Sequence, residues 1–200
     1  MSSGLRDRKK QQTRAALTMA ALRLVDERGL DRVTVEEISE AADVSPRTFF
    51  NYFATKDDAL IGEPLDGVHD QLLAVPSEVP LLAAVLEVLR PAIEQIQAER
   101  DVWLLRMRVI KDNPALLQAL FARGAEAQQE TTDAIAARTG LPRDSAYPHL
   151  AASLTSAAFH AAMMRWAGTD GRPLADFVDE AFRILATGLT EPEPTKQVGS

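Results

Sequence analysis

The sequence predicts an all-α protein of about nine helices, in which an N-terminal three-helix helix-turn-helix domain precedes a C-terminal helical bundle. Apolar residues recur at helical spacing along most of the 200 residues, and no paired alternating segments predict strands. Capping residues stand in front of several of these runs. Cysteine is absent, so disulfides, thiolate metal sites and cysteine nucleophiles are excluded.

Three short helices are predicted before residue 54. N-capping residues and a helix-ending glycine set their boundaries, and they cover residues 9–28, 35–42 and 46–53. Thr34 and Glu37 have the spacing of a capping box, while Ser45 is a strong N-cap with Pro46 in the first helical position. Only a tight turn separates the second helix from the third, so the pair forms a helix-turn-helix pattern.

Six further helices are predicted downstream. The fourth begins at a second capping box, Thr55–Asp58, and we expect it to be irregular because Gly62 and Gly67 interrupt it. The six cover residues 56–73, 81–97, 101–111, 113–139, 145–167 and 173–187, with a bend in the second of them at Pro91. Residues 190–200 are too polar and proline-rich to pack, and we expect flexible tails at 1–8 and 190–200.

Charge is unevenly distributed along the chain. The net charge is −7, yet residues 1–60 hold 10 Lys/Arg and 10 Asp/Glu, whereas residues 61–200 hold 12 and 19. A basic arm opens the sequence: Arg6, Arg8, Lys9, Lys10 and Arg14. This arm and a neutral N-terminal unit can bind DNA at one end, although the overall acidity does not favour nucleic-acid binding in general. No apolar run reaches the roughly 18 residues that a membrane span needs, and we expect a cytoplasmic protein without membrane contact.

The third helix carries side chains suited to reading DNA near its start. Arg47 can pair with both major-groove acceptors of guanine, and Thr48 can offer a hydroxyl or a methyl group to thymine. Asn51 and Tyr52 share the exposed side and can reach a base or a phosphate. The predicted DNA-binding residues are Thr34, Ser45, Arg47, Thr48, Asn51, Tyr52 and Lys56.

Two of these residues are predicted from their place at helix starts. Thr34 and Lys56 each begin a helix, where backbone N–H groups and the helix dipole attract phosphate. Phe49 and Phe53 are better read as core side chains, and Phe50 is ambiguous. The alternative is that all of these are solvated residues of a small helical domain.

Residues 10–60 resemble the N-terminal domain of the TetR family of bacterial transcriptional repressors. The resemblance rests on the helix ending in ERG, on VTVEEISEAADVS, and on FFNYF followed by ATKDDAL. In that family the aromatic run is typically Tyr-x-Tyr-Phe, followed by a small residue and lysine. Here Pro46 stands where many members have a small or polar residue, and Phe50 replaces the commoner tyrosine, which removes a possible phosphate contact.

The resemblance implies a sequence-specific transcriptional regulator that binds a palindromic operator as a homodimer. Residues 9–60 would be the DNA-binding domain, and residues 61–189 the ligand-binding and dimerisation domain. The expected form is a repressor released by a small lipophilic effector, with acyl-CoA-like molecules as one class. The alternative function is a helical protein-binding module without DNA binding. No catalytic residues, cofactor or metal are predicted, because the histidines are scattered and no nucleotide-binding or hydrolase motif is present.

Large apolar side chains and one histidine in the C-terminal body are the candidates for lining an effector pocket. They are Trp103, Met107, Ile110, Phe121, Phe159, His160, Met163 and Trp166. An ordinary helical core is the alternative for each of them. Three nearby cations, Arg106, Arg108 and Lys111, either supply an anion site or form a solvated face.

The last two helices are the candidates for a dimer interface. Residues 150–164 are apolar or small nearly all the way round, and such a helix needs a second wall that a partner subunit can supply. The predicted interface residues are Leu154, Ala157, Ala158, Ala161, Phe177, Val178, Ala181 and Leu185. The alternative is the ordinary core of a monomer.

Overall fold

The fold is built from helices alone within the part of the chain that the structure describes. This computed structural model describes residues 3–62 and 67–189, with side chains from residue 8 onward in those ranges. The helices are α1 (Ser3–Arg28), α2 (Val35–Ala41), α3 (Pro46–Phe50), α4 (Lys56–Ile61), α5 (Val68–Ala74), α6 (Leu81–Ala98), α7 (Arg100–Asp112), α8 (Pro114–Thr139), α9 (Ala146–Ala167) and α10 (Leu174–Ala186), with a 3-10 turn at Leu30–Arg32. The predicted all-α class is confirmed.

Some helix boundaries differ from those predicted. The first helix begins at Ser3, ahead of the predicted start at residue 9. The predicted helix over 56–73 is two helices, because Gly62 (φ +87°) ends α4 and Gly67 (φ +75°) precedes α5, and a positive φ suits glycine alone among common residues. α6 is a single helix that contains Pro91. The predicted C-terminal tail lies outside the described residues.

One compact unit combines the described part of residues 1–66 with residues 98–127. α1, α2, α3, α4, α7 and the start of α8 share one apolar core, which includes Leu17, Leu22, Ile38, Phe49, Leu60, Ile110 and Leu116. α7 packs against both α1 and α4. The helix-turn-helix segment therefore shares its core with a helix that lies about fifty residues further along the chain.

The second compact unit combines residues 67–97 with the described residues from 128 onward. α9 and α10 form its most closely packed pair, and Trp166 and Phe182 are almost fully buried there. Gln97 accepts a hydrogen bond from the backbone N–H of Leu174 at 2.6 Å, which supplies the cap that Pro173 cannot give to α10.

A single arginine fastens the connection between α5 and α6 to α8 within this second unit. The Arg138 guanidinium donates to four backbone carbonyls, those of Leu72 (3.1 Å), Val75 (2.5 Å), Pro76 (2.6 Å) and Val79 (2.9 Å). A connection without regular structure has unpaired carbonyls, and the planar donor fork of arginine satisfies several of them together.

The predicted domain boundary between residues 60 and 61 stays a prediction. The packing adds that residues 98–127 belong to the same compact unit as the helix-turn-helix segment. A division by sequence order alone assigns these residues to the C-terminal body.

Candidate nucleic-acid interface

The start of α2 is fixed by the predicted capping box. The backbone N–H of Thr34 donates to the Glu37 carboxylate at 2.9 Å, and the Glu37 N–H donates back to the Thr34 hydroxyl at 3.2 Å. These bonds, with Arg28 3.1 Å from the same carboxylate, lower the pKa of Glu37. The helix entry is therefore set by local chemistry that the sequence displays.

The turn between α2 and α3 is a close hydrogen-bonded reversal. The N–H of Val44 donates to the carbonyl of Ser39 at 2.9 Å, and that of Asp43 donates to the carbonyl of Glu40 at 3.0 Å. This is the pattern of a Schellman helix end, whose central residue takes a left-handed conformation. Asp43 occupies that position with a φ of +55°, where glycine is the usual residue.

Ser45 begins α3 as predicted. Its hydroxyl accepts the backbone N–H of Thr48 at 3.1 Å and lies 2.9 Å from the Thr48 hydroxyl. Pro46 takes the first turn, where a missing N–H costs nothing. α3 ends at Phe50, earlier than the predicted end at residue 53, although Phe53 still donates its N–H to the carbonyl of Phe49 at 3.0 Å.

Two aromatic rings anchor α3 to the core. Phe49 is 0% exposed and Phe53 is 4% exposed, which confirms that both face inward. Their ring centroids lie 5.5 Å apart, and the Arg14 guanidinium lies 4.6 Å from the centre of the Phe53 ring. Burial of each ring contributes about 1.5–3 kcal/mol, so the orientation of α3 is held firmly.

The opposite side of α3 is open. Arg47 and Asn51 are exposed one turn apart, while Thr48 and Tyr52 are half-buried. Phe50, which was ambiguous from the sequence, is 57% exposed on the same side as Arg47. The structure thus gathers Ser45, Arg47, Thr48 and Asn51 on one short helix.

Thr34 and Lys56 have internal partners. The Thr34 hydroxyl is engaged with Glu37, and the Lys56 ammonium donates to the carbonyls of Leu30 (2.7 Å) and Val33 (2.9 Å). Lys56 therefore ties the start of α4 to the turn before α2. Phosphate contacts by these two side chains remain predictions, and each would have to open a bond that the fold uses.

The basic arm belongs to α1. Arg8, Lys9 and Lys10 are exposed near the start of that helix. The side chain of Arg6 lies outside the described residues.

An open acidic groove lies beside the start of α3. Glu36, Glu40 and Asp43 line it together with Val44, Ser45 and Pro46. Like charges repel phosphate, so this groove favours approach of a nucleic acid through the Arg47 side rather than the α2 side.

The far end of α4 is held by two arginines of the same unit. Arg106 donates to the carbonyl of Leu60 at 3.0 Å, and Arg123 donates to the carbonyl of Gly62 at 2.7 Å and pairs with Asp58. Burial lowers the pKa of Arg106, an effect that the charge of Glu99 opposes.

The possible anion site is not assembled by its three cations. Arg106 is engaged with α4, Arg108 forms a two-pronged pair with Asp26 at 2.8 and 2.7 Å, and Lys111 is exposed. Two of the three cations therefore have structural partners inside the first unit.

The predicted pocket residues are divided between the two units. Trp103 and Met107 are half-buried one turn apart on α7, and Ile110 is buried in the core that contains Phe49. Phe121 is 68% exposed on α8. In the second unit Phe159 is half-buried, His160 is exposed, and Met163 and Trp166 are buried. Ile110 therefore serves the core around α3 rather than a cavity wall.

The predicted interface helix α9 has two apolar faces. The inner face is buried or half-buried and consists of Pro148, Ala152, Thr155, Phe159, Ala162 and Trp166. The outer face repeats at alternating spacings of three and four residues and consists of Tyr147, Leu150, Leu154, Ala157, Ala161 and Met164, which are exposed or half-buried. Such spacing is the seam pattern of packed helix pairs.

The other predicted interface residues divide by burial. Ala158, Ala181 and Leu185 are half-buried, whereas Phe177 and Val178 are 3% and 0% exposed. Phe177 and Val178 therefore belong to the core of one chain.

Two further searches concern other functions. Among residues 3–62 and 67–189, no helix has the length and hydrophobicity needed to cross a bilayer. The same residues contain no group of three or more histidine, aspartate or glutamate side chains that could hold a metal ion.

Family profiles match most of the chain. Residues 17–61 match the profile described as bacterial regulatory proteins of the tetR family, and residues 79–190 match that of the MftR C-terminal domain. The HTH-type transcriptional regulator TcmR of Streptomyces glaucescens is 31% identical over 151 residues. That alignment covers 70% of this chain and 66% of TcmR, slightly less than two thirds of the relative.

Solved structures share the fold. The FadR repressor of Thermus thermophilus, a TetR family protein crystallised in complex with lauroyl-CoA, aligns with a TM-score of 0.54 at 25% identity, over 93% of this chain and 100% of that one. FadR of Bacillus halodurans, a fatty acid degradation regulator, aligns with a TM-score of 0.57 at 18% identity, over 90% and 97% of the two chains.

Proposed function

The chain belongs to the TetR family of bacterial transcription regulators, and from this premise we propose that it is a ligand-responsive repressor that binds a palindromic operator as a homodimer. Members of the family are DNA-binding proteins that typically have no enzymatic activity, usually act as dimers and respond to small molecules. The proposed place of action is the cytoplasm, where the DNA target lies.

The open face of α3 carries this proposal. Arg47 and Asn51 are exposed on a helix whose other side is locked by Phe49 and Phe53. Base readout requires polar side chains on a helix whose position is fixed. Ser45 and Thr48 complete the polar start of this helix, and Tyr52 lies at its edge.

A salt titration of DNA binding tests the face directly. Arg47→Ala is expected to reduce discrimination between a selected duplex and a shuffled one by about 1–3 kcal/mol, because a bidentate guanine contact is lost. Arg90→Ala, which removes an exposed arginine of α6, is the matched control and should bind like the wild type. Equal discrimination by all three proteins would contradict this assignment of α3, and binding of a protein partner with no DNA binding would favour the alternative module.

Dimerisation through the outer face of α9 supports recognition of a palindrome. Tyr147, Leu150 and Met164 are 51%, 59% and 46% exposed on that face, and a second copy placed against it would remove these side chains from water. A dimer that reads adjacent major grooves would place its two α3 helices about 34–36 Å apart.

Leu150→Asp tests this interface by burying a charge in it. Light scattering is expected to give a dimer for the wild type and a monomer for the variant, while circular dichroism stays unchanged. An exposed leucine outside the face, Leu73, provides the matched control as Leu73→Asp. A variant that remains dimeric would place the interface elsewhere.

For the effector we propose a small lipophilic molecule of the acyl-CoA class. The solved complex of the Thermus thermophilus relative with lauroyl-CoA supports this class. Half-buried Trp103 and Met107 provide adaptable apolar surface on α7.

α4 is the proposed link between the effector and DNA. Arg106 of α7 and Arg123 of α8 hold its end, and Lys56 ties its start to the turn before α2. A displacement of α7 would therefore move α4 and, through it, α3.

Titration of lauroyl-CoA into the protein–DNA complex tests the effector proposal. Release of DNA by lauroyl-CoA and not by free coenzyme A is the expected result, and Arg123→Gln should weaken the release more than it weakens DNA binding itself. Absence of lauroyl-CoA binding in calorimetry would reject the acyl-CoA class, while leaving the DNA-binding proposal intact.

A further inference from the structure

An exposed phenylalanine stands on the face of α3 that we propose reads DNA. Phe50 is 57% exposed, whereas Phe49 and Phe53 on either side are nearly inaccessible to water. It lies three residues after Arg47 and directly before Asn51, so it shares their side of the helix. The proposed function therefore leaves an apolar ring in the middle of a polar reading surface without a role.

The ring has a fixed place. It meets the Phe49 ring edge to face, with centroids 5.5 Å apart and planes inclined by 83°. Because Phe49 is fully buried, this contact links Phe50 to the core and restricts the positions that the ring adopts in solvent. A side chain that is ordered before binding loses little conformational entropy when it meets a partner.

The chemistry of the major groove offers one apolar partner to such a ring. Base edges there present hydrogen-bond donors and acceptors, and the thymine C5-methyl group is the single apolar feature among them. A phenylalanine ring has no hydrogen-bonding group, so it neither reads the polar features nor bonds to a phosphate. Three residues along a helix rise roughly 4.5 Å, and one base step rises about 3.4 Å. A methyl group that contacts Phe50 would thus lie within one or two base pairs of the base that Arg47 reads.

We propose that Phe50 packs against a thymine methyl group in each half-site and selects thymine there. The proposal rests on the proposed function, because it requires α3 to lie in the major groove. It assigns a specificity role to a position that the sequence alone left ambiguous. Loss of one methyl contact is expected to weaken binding roughly three- to fivefold per half-site.

Deoxyuridine substitution tests the contact, because deoxyuridine differs from thymidine only by that methyl group. The probe is a duplex that the wild-type protein selects from a randomised library, resynthesised with each thymine of one half-site replaced singly. Wild-type protein is expected to lose roughly three- to fivefold in affinity at one position near the Arg47 contact and nothing at the others. Phe50→Ala should bind the thymine duplex more weakly and bind the thymine and deoxyuridine duplexes equally. Phe50→Tyr keeps the ring and should keep the sensitivity.

A matched control removes an exposed apolar side chain elsewhere. Leu141→Ala, from a leucine that is 40% exposed between α8 and α9, should retain the full response to deoxyuridine. Equal affinity of wild-type protein for all duplexes would overturn the proposal, as would the same thymine preference in Phe50→Ala. Either result leaves the DNA-binding function standing, whereas failure to select any sequence from the library would reject both.

Discussion

Lys56 separates a structural role from a DNA-binding role in a single experiment. Its ammonium donates to the carbonyls of Leu30 at 2.7 Å and Val33 at 2.9 Å. Lys56→Met keeps the length of the side chain and removes both bonds. Hydrogen bonds from a charged donor are worth about 1.5–3 kcal/mol each. Because the side chain is only half-buried, water will replace part of this, and we expect a net loss of about 2 kcal/mol.

Two measurements on the same variant give the answer. Thermal unfolding should shift downward by about 4–8 °C, since 1 kcal/mol corresponds to about 2–4 °C in a chain of this length. The dependence of DNA affinity on salt should keep its slope, because a lysine that bonds to protein carbonyls neutralises no phosphate. A phosphate contact predicts the reverse, with the slope reduced by about 0.9 and stability unchanged.

Lys111→Met is the control, because Lys111 is exposed on α7. It should change neither quantity. A flattened salt slope for Lys56→Met without loss of stability would refute the internal role of this side chain, and the phosphate contact suggested by its place at a helix start would stand.

Three further predictions concern stability. Asp43→Gly should stabilise the protein by about 0.5–1 kcal/mol in urea unfolding, because glycine adopts a φ of +55° at no steric cost; a destabilised variant would show that the aspartate side chain has a compensating contact. Arg138→Lys should destabilise the protein by about 2–3 kcal/mol, since a single ammonium cannot serve four carbonyls as the guanidinium does; an unchanged unfolding midpoint would contradict this. Burial raises the pKa of Asp58, but hydrogen bonds from Thr55 and the charge of Arg123 outweigh it, so the pKa of Asp58 is lowered overall from 3.8. A lowered pKa gives stability that is present above the unfolded pKa and lost as the pH falls through the folded pKa, so Asp58→Asn should flatten the stability curve below about pH 4; an acid limb identical to the wild type would refute it.

Local chemistry made the N-terminal fold and its open face predictable. Capping boxes at Thr34 and Thr55 and the N-cap at Ser45 act over three residues, so their signal is complete in the sequence. The inward direction of Phe49 and Phe53 follows from helical periodicity in the same way. These features placed α2, α3 and the start of α4 correctly.

Long-range partners could not be predicted. Nothing near Lys56 in the sequence indicates that its ammonium bonds to carbonyls 26 and 23 residues earlier. The same is true of Arg123, whose partners Asp58 and Gly62 lie 65 and 61 residues away. Side-chain bonds of this kind depend on how the helices pack, and a helix-start pattern therefore suggested a phosphate role for a lysine that the fold uses internally.

Periodicity also left the C-terminal helices open to two interpretations. The run over α9 is apolar on opposite sides, and only the structure separates the inner face with Trp166 from the outer face with Leu150. Phe177 and Val178 matched an interface stripe and are buried within one chain. An apolar stripe states that a side chain avoids water, but not which chain covers it.

The ratio of affinities for a selected duplex and for a shuffled duplex of the same composition tests the central claim most directly. Measured by fluorescence anisotropy at physiological salt, wild-type protein should prefer the selected duplex by about 10³-fold or more. Arg47→Ala should reduce that ratio by about 10- to 100-fold while the affinity for the shuffled duplex changes little. Equal affinity of the wild-type protein for both duplexes, or an unchanged ratio in Arg47→Ala, would contradict sequence reading by α3.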